Sequence, residues 1–140
     1  MLATALRMRI GTRAQRRNAF LELIMPERYL QQVDRARLAG GLQPLFGHDL
    51  ADQPPIVMKQ LKAMSRFDAG ARLNELATIP TLVVSAVEDR IAGRSTGRAL
   101  ATAIPGSRYV EIADAGHGLP IHRAAETNAL LAEHWTRAER

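Results

Sequence analysis

The sequence contains no cysteine, which excludes disulfides, thiolate metal sites and cysteine nucleophiles. Aromatic residues make up only 4% of it, too few to interleave with basic side chains as a base-stacking platform for nucleic acid. No apolar run approaches the 18 or so residues that a membrane-spanning helix needs. The opening stretch MLATALRMRIG is too short in apolar residues for a signal peptide, and Arg7 interrupts it. What remains is the profile of a soluble, cytoplasmic chain. At 140 residues it is one domain's worth of sequence at most.

Carboxylates are absent from residues 1–20, which hold Arg7, Arg9, Arg13, Arg16 and Arg17. Residues 21–140 carry 14 basic and 14 acidic side chains, so the net charge of +5 belongs to one N-terminal segment and not to a basic domain. A solvated helical face is the simplest reading of that segment. Contact with nucleic acid or another acidic partner is the alternative.

The first half reads as helices. Thr12 can cap a helix over Arg13–Ile24, whose apolar face is Ala19, Phe20, Leu23 and Ile24. Pro26 suits the first turn of a second helix over Glu27–Leu38, stopped by Gly40-Gly41. The composition of Leu42–Ala51 is that of a loop. Asp52 before Pro54-Pro55 predicts a third helix over Ile56–Phe67, with Val57, Met58, Leu61 and Met64 as a core-facing stripe.

The character changes at Ile79-Pro80. The run Thr81–Val87 is continuous, apolar and β-branched, as in strands buried on both faces. A helix over Thr96–Ala103, a strand over Arg108–Ile112 and an amphipathic helix over Ile121–Arg137 complete a βαβ unit with a parallel pair. Two parallel strands are marginal alone, so Thr81–Val87 is expected to need neighbours that this sequence does not supply.

Asp89 follows the C-terminal end of the first strand, and His117, 28 residues later, follows that of the second in Asp-Ala-Gly-His-Gly-Leu-Pro. Parallel pairing puts both loops on one sheet edge, where active-site groups gather in open α/β sheets. A carboxylate that accepts from an imidazole fixes its tautomer and frees the other ring nitrogen as a general base. Gly116 and Gly118 would let the backbone turn tightly around His117.

The segment IPTLVVSAVEDRIAG…GRALATAIPGSRYVEIADAGHGLPI resembles the C-terminal portion of the α/β-hydrolase fold family. The resemblance implies a partial α/β-hydrolase fold, with residues 1–78 as a helical cap-like segment and 79–140 as the last strand–helix–strand–helix part of the core. It also implies Asp89 as the triad acid and His117 as the triad base. Ala86 stands where a glycine is usual in the family, and no proline follows the acid at Ala92-Gly93. The family's serine sits in a G-x-S-x-G turn directly after a strand. This chain has that pattern at Gly93-Arg-Ser95-Thr-Gly97, but Glu88–Ala92 intervene after the strand and Ser95 follows the acid. Ser95 or Thr96 therefore reads as a helix N-cap, and a set of Ser95, Asp114 and His117 is disfavoured because Asp114 shares a tight loop with His117.

On this reading the nucleophile and oxyanion hole lie outside the chain. The expected chemistry is hydrolysis of a small ester or lactone, with no cofactor and no metal; a complementing N-terminal half would supply what is missing, and the unsatisfied edge of Thr81–Val87 predicts a homodimer or aggregation in its absence. The alternative is a non-catalytic remnant that dimerises or binds an acidic partner through Arg7–Arg17. His48, Asp49 and Asp52 lack a second histidine at ligand spacing and read as a surface turn. His122 and His134 read as solvent-facing, and Trp135 as closing the packing of the last helix.

Overall fold

The structure, a computed structural model, describes residues 7–139; the first six residues of MLATALRMRIG lie outside the described residues. The chain divides into two compact units, residues 1–68 and 69–140.

The first unit is helical. Helix α1 (Arg13–Ile24) begins in a capping box: the Thr12 side chain accepts from the Gln15 amide while the Gln15 side chain accepts from the Thr12 amide. Its buried positions are Ala19, Leu21 and Ile24, so Leu21, fully buried, joins the face expected of this helix. Glu27–Leu38 is not one helix. A single turn, α2 (Glu27–Leu30), gives way to α3 (Arg35–Phe46), capped by the Asp34 carboxylate on the Ala36 and Arg37 amides. Helix α3 runs through Gly40-Gly41, the expected stop, and through Pro44; it ends at Gly47, whose φ of 72° is left-handed. The Asp34 cap and the buried Ala39 and Leu42 outweigh the propensity cost of two glycines. Helix α4 (Ile56–Met64) starts from Pro55 without a side-chain cap, so Asp52 is not its cap. Its apolar stripe is not core: Met58, Leu61 and Met64 are each more than half exposed.

The N-terminal arginines are held inside this unit. Arg7 pairs with Glu22 at 2.8 Å, and Arg13 bridges Asp49 and Asp52 at 2.9 Å each. Arg16 donates to the carbonyls of Ala51 and Gly11, and Arg9 reaches the Met58 sulfur. Arg17 donates through both Nε and Nη2 to the two oxygens of Asp49, a bidentate match that suits a guanidinium. The sequence predicts Asp49 in a turn, and the Asp52 amide donates to its carbonyl in one; its carboxylate also ties the 47–52 loop to α1. Arg17, then the Ala51 amide, then Arg13 hold its carboxyl well below the usual carboxylate range.

The second unit opens with a 3-10 helix, Gly70–Leu76. Strand β1 (Leu82–Ala86) pairs in parallel with β2 (Arg108–Ile112), in the register Leu82↔Arg108 to Ala86↔Ile112. Between them lies α5 (Arg94–Ala103). The expected last helix is two pieces, α6 (Leu119–His122) and α7 (Ala124–Ala138), broken at Arg123. Ala86, Ile112, Ala115 and Leu119 form the core, flanked by Val84, Val110 and Leu130. Apart from the buried Ser85, the rest of the strands is only half-buried, unlike the doubly covered strand that Thr81–Val87 reads as, because among the described residues the sheet has two strands. Trp135 does not close the packing of α7; it is 62% exposed.

Gly97 explains how α5 lies on β1. A Cβ there would sit 1.9 Å from the Ser85 hydroxyl oxygen and 3.3 Å from the Ser85 Cβ. Gly40 and Gly41 have nothing within 4 Å of such a Cβ. One substitution should therefore change sign with position. Gly40→Ala or Gly41→Ala should stabilise by about 0.5–1 kcal/mol through helix propensity. Gly97→Ala should destabilise by about 1–3 kcal/mol because Ser85 or the helix must move. Denaturant unfolding of each variant checks both directions.

The Asp49 cluster sets an acid dependence. A carboxyl depressed in the folded state contributes stability that is complete above its unfolded value, about 3.9, and is lost as pH falls through the folded value. Melting temperature of the first unit should thus fall below about pH 4, and Asp49→Asn should lower it at pH 7 while flattening that acid slope.

Candidate active site

Two loops leave the same edge of the parallel pair. The ladder continues past the strands: the Val87 amide donates to the Ile112 carbonyl at 3.0 Å and the Glu88 amide to the Ala115 carbonyl at 2.8 Å. Ala115 is fully buried, so this second bond anchors the loop after β2 to the loop after β1. The fixed junction carries Asp89 one residue beyond Glu88 and His117 two residues beyond Ala115.

The two side chains meet. His117 Nδ1 lies 3.0 Å from Asp89 Oδ2. Because a carboxylate oxygen accepts, Nδ1 carries the proton, and Nε2 is left as the imidazole's basic nitrogen. Asp89 is 8% exposed at its side chain and His117 44%. A sheltered carboxylate thus holds a ring that solvent or a substrate can reach. The other carboxylate oxygen, Oδ1, accepts from the Ile91 amide at 2.7 Å and the Ala92 amide at 2.9 Å. These two amides fix the carboxylate so that Oδ2 faces the ring. Nothing in the residue types at 91 and 92 announces them, since the backbone does the work; an Asp at the head of a turn is the only signal.

The chain turns tightly around His117, with the Leu119 amide donating to the Gly116 carbonyl at 3.0 Å. Gly116 and Gly118 are buried, and Gly118 has φ −78° and ψ 24°. The left-handed residue of this loop is Asp114, at φ 54°, a conformation that aspartate adopts more readily than most residues. Asp114 Oδ2 lies 3.9 Å from an Arg123 guanidinium nitrogen, and the partner of His117 Nδ1 is Asp89.

Ser95 lies apart in role. It falls in the first turn of α5, is exposed, and lines an open surface groove with Arg94, Arg98, Ala99, Thr102 and Ala103. The N-cap of α5 is Gly93, with no side-chain cap bond, so neither Ser95 nor Thr96 caps the helix. Within the GRSTG pattern Gly97 is the point of contact with Ser85, and the Arg94 carbonyl accepts from the Tyr109 hydroxyl. Nearby, Tyr109 and then Arg98 hold the Glu111 carboxyl below its usual range, a surface network on α5 and β2.

His48 Nδ1 is bonded to the Asp49 carbonyl and His122 Nδ1 to the Gly118 carbonyl, and both histidines, like His134, are half-buried. Among the described residues no group of three potential ligands could hold a metal ion, and no helix is long and apolar enough to cross a membrane.

Comparison with known proteins gives a consistent picture. No family model matches. The chain is 36% identical over 77 residues to the candidate carbamate hydrolase RutD of Klebsiella pneumoniae, covering 55% of this chain and 29% of that protein. It is 39% identical over 94 residues to the rhodomycin D methylesterase DnrP of Streptomyces peucetius, 66% of this chain and 30% of that one. Among solved structures, the enol-lactonase of Burkholderia xenovorans LB400 superposes with a TM-score of 0.70 at 24% identity, covering 96% of this chain and 49% of that chain. The chain therefore spans under a third of the length of these curated relatives and about half of the solved structure.

The carboxylate clasp is directly testable. Asp89→Ala should raise amide exchange at Ile91 and Ala92 by about three- to tenfold, the worth of one net hydrogen bond each. Asp89→Asn, which keeps an accepting oxygen, should leave most of that protection. Residue-resolved hydrogen exchange distinguishes the two.

Proposed function

We propose that the chain, whose fold is that of the α/β-hydrolases, belongs to that family and carries the acid–base half of a serine-type hydrolase acting on small esters or lactones. The Asp89–His117 contact carries this reading. His117 Nε2 takes the proton from a serine hydroxyl as that oxygen attacks the acyl carbon. It then returns the proton to the leaving oxygen, and repeats the cycle with water to release the acid. Asp89 holds the Nδ1–H tautomer and stabilises the imidazolium formed in between. The serine and the donors for the oxyanion come from outside this chain, in a complementing segment. Support comes from β1, which among the described residues pairs with β2 alone and so has a second edge able to accept another strand.

The relatives' names support this substrate class. A carbamate, a methyl ester and an enol lactone each present an acyl carbon bearing a heteroatom leaving group, and His117 supplies the proton traffic that all three need. The reading of Arg7–Arg17 as a docking surface has less support, since Arg7, Arg13 and Arg17 already face carboxylates within the first unit.

A fluorophosphonate probe followed by intact-mass measurement tests the division of labour. The purified chain should gain no adduct; an adduct on Ser95 that disappears in His117→Ala would make Ser95 the nucleophile and overturn the reading. A chimera that places the N-terminal half of the Burkholderia enol-lactonase before this chain should hydrolyse 4-nitrophenyl acetate. His117→Ala in a folded chimera should then lose on the order of 10²–10⁴ in rate, and an unchanged rate would count against His117 as the base.

A further inference from the structure

We propose that His122 is a positioning residue that holds the His117 imidazole in register with Asp89. The inference rests on the reading of His117 as the general base. His117 stands between Gly116 and Gly118, so neither neighbour has a side chain to restrain the loop, and glycine loses the most conformational freedom when it is fixed. The restraint comes from the carbonyls of the two glycines. That of Gly116 accepts from the Leu119 amide at 3.0 Å, which closes a turn around His117. That of Gly118 accepts from the Ile121 amide at 2.9 Å, from the His122 amide at 3.2 Å, and from His122 Nδ1 at 2.9 Å.

The last of these bonds is the one supplied by a side chain. Helix α6 is four residues long and has no side-chain cap at its start, and a single turn fixes several dihedrals for one backbone bond, which makes it marginal alone. His122, its last residue, folds its ring back onto the carbonyl of Gly118, its N-cap, and so clasps the turn from end to end. Because a carbonyl only accepts, the partner assigns the proton to His122 Nδ1. The Gly118 carbonyl shares one planar peptide unit with the Leu119 amide, so its orientation also sets the Leu119-to-Gly116 bond that closes the turn around His117. The His117 side chain is 44% exposed, and Asp89 is the side-chain partner of its Nδ1.

Side-chain nitrogen NMR on the full chain labelled at histidine tests this without any turnover. In the parent protein His117 should be protonated at Nδ1. His122→Phe should raise the fraction of His117 protonated at Nε2 by about three- to tenfold, the range a single net hydrogen bond supplies. His122→Gln, whose amide can still donate to the Gly118 carbonyl, should restore the parent distribution. An unchanged His117 tautomer in a folded His122→Phe protein overturns the proposal. Should that variant fail to fold, His122→Ala replaces it: a shifted tautomer in Ala and a parent-like one in Gln supports the clasp, and identical behaviour in the two overturns it. A tautomer shift with an inactive chimera would sink the hydrolase reading alone, and an active chimera with no shift would sink the clasp alone.

Discussion

Everything in the second unit depends on the parallel pairing of β1 with β2 and on its continuation into the loops. Five paired positions run from Leu82↔Arg108 to Ala86↔Ile112. The bonds from Val87 to Ile112 and from Glu88 to Ala115 carry the same register two steps further. A slip of one residue would turn Ala86 away from the core it shares with Ile112 and Ala115, and Ser85 away from Gly97, since side chains alternate along a strand. It would also separate Asp89 from His117, whose contact spans 28 positions of sequence. The site is in this sense an extension of the sheet: the ladder brings two loops together, and the side chains complete what the backbone begins.

Two glycine-flanked patterns show how residue types alone mislead. Gly93-Arg-Ser95-Thr-Gly97 has the letters of a nucleophile turn, yet it forms the first turn of a helix whose Gly97 admits the Ser85 side chain. Asp-Ala-Gly-His-Gly has the letters of a flexible loop. There the glycines are buried, the left-handed residue is Asp114, and carbonyl hydrogen bonds do the restraining. In both cases the position of the pattern relative to a strand end decides its meaning, because that position determines which backbone groups are already paired.

The first unit uses its charge inward. Three of the five N-terminal arginines meet carboxylates, and Asp49 is held by Arg17, by the Ala51 amide and by Arg13 together. A net charge concentrated at one end of a chain suggests an external partner only when the opposite charges are also distant in space. Here α1 and the 47–52 loop lie within ion-pair reach of each other. Helix α4 is the reverse case: a clean apolar stripe whose Met58, Leu61 and Met64 stay exposed, because periodicity states which face a helix would bury and not what it is buried against.

By itself the sequence determined the elements whose causes are local. The Thr12 cap with Gln15 started α1 at Arg13, the apolar β-branched run made β1, and Arg108–Ile112 made β2. It also determined the Asp89–His117 pair, since parallel strands must deliver their following loops to one edge. Only the tertiary structure decided what depends on distant partners. A buried Ala39 and Leu42 carried α3 through Gly40-Gly41. Asp49 became a hub because Arg13 and Arg17 came to it. The amides of Ile91 and Ala92 and the ring of His122 entered the site through backbone geometry that no residue type encodes. Local propensity is written in neighbouring residues, whereas a hydrogen bond to a carbonyl or a carboxylate exists only once the chain has brought its two ends together.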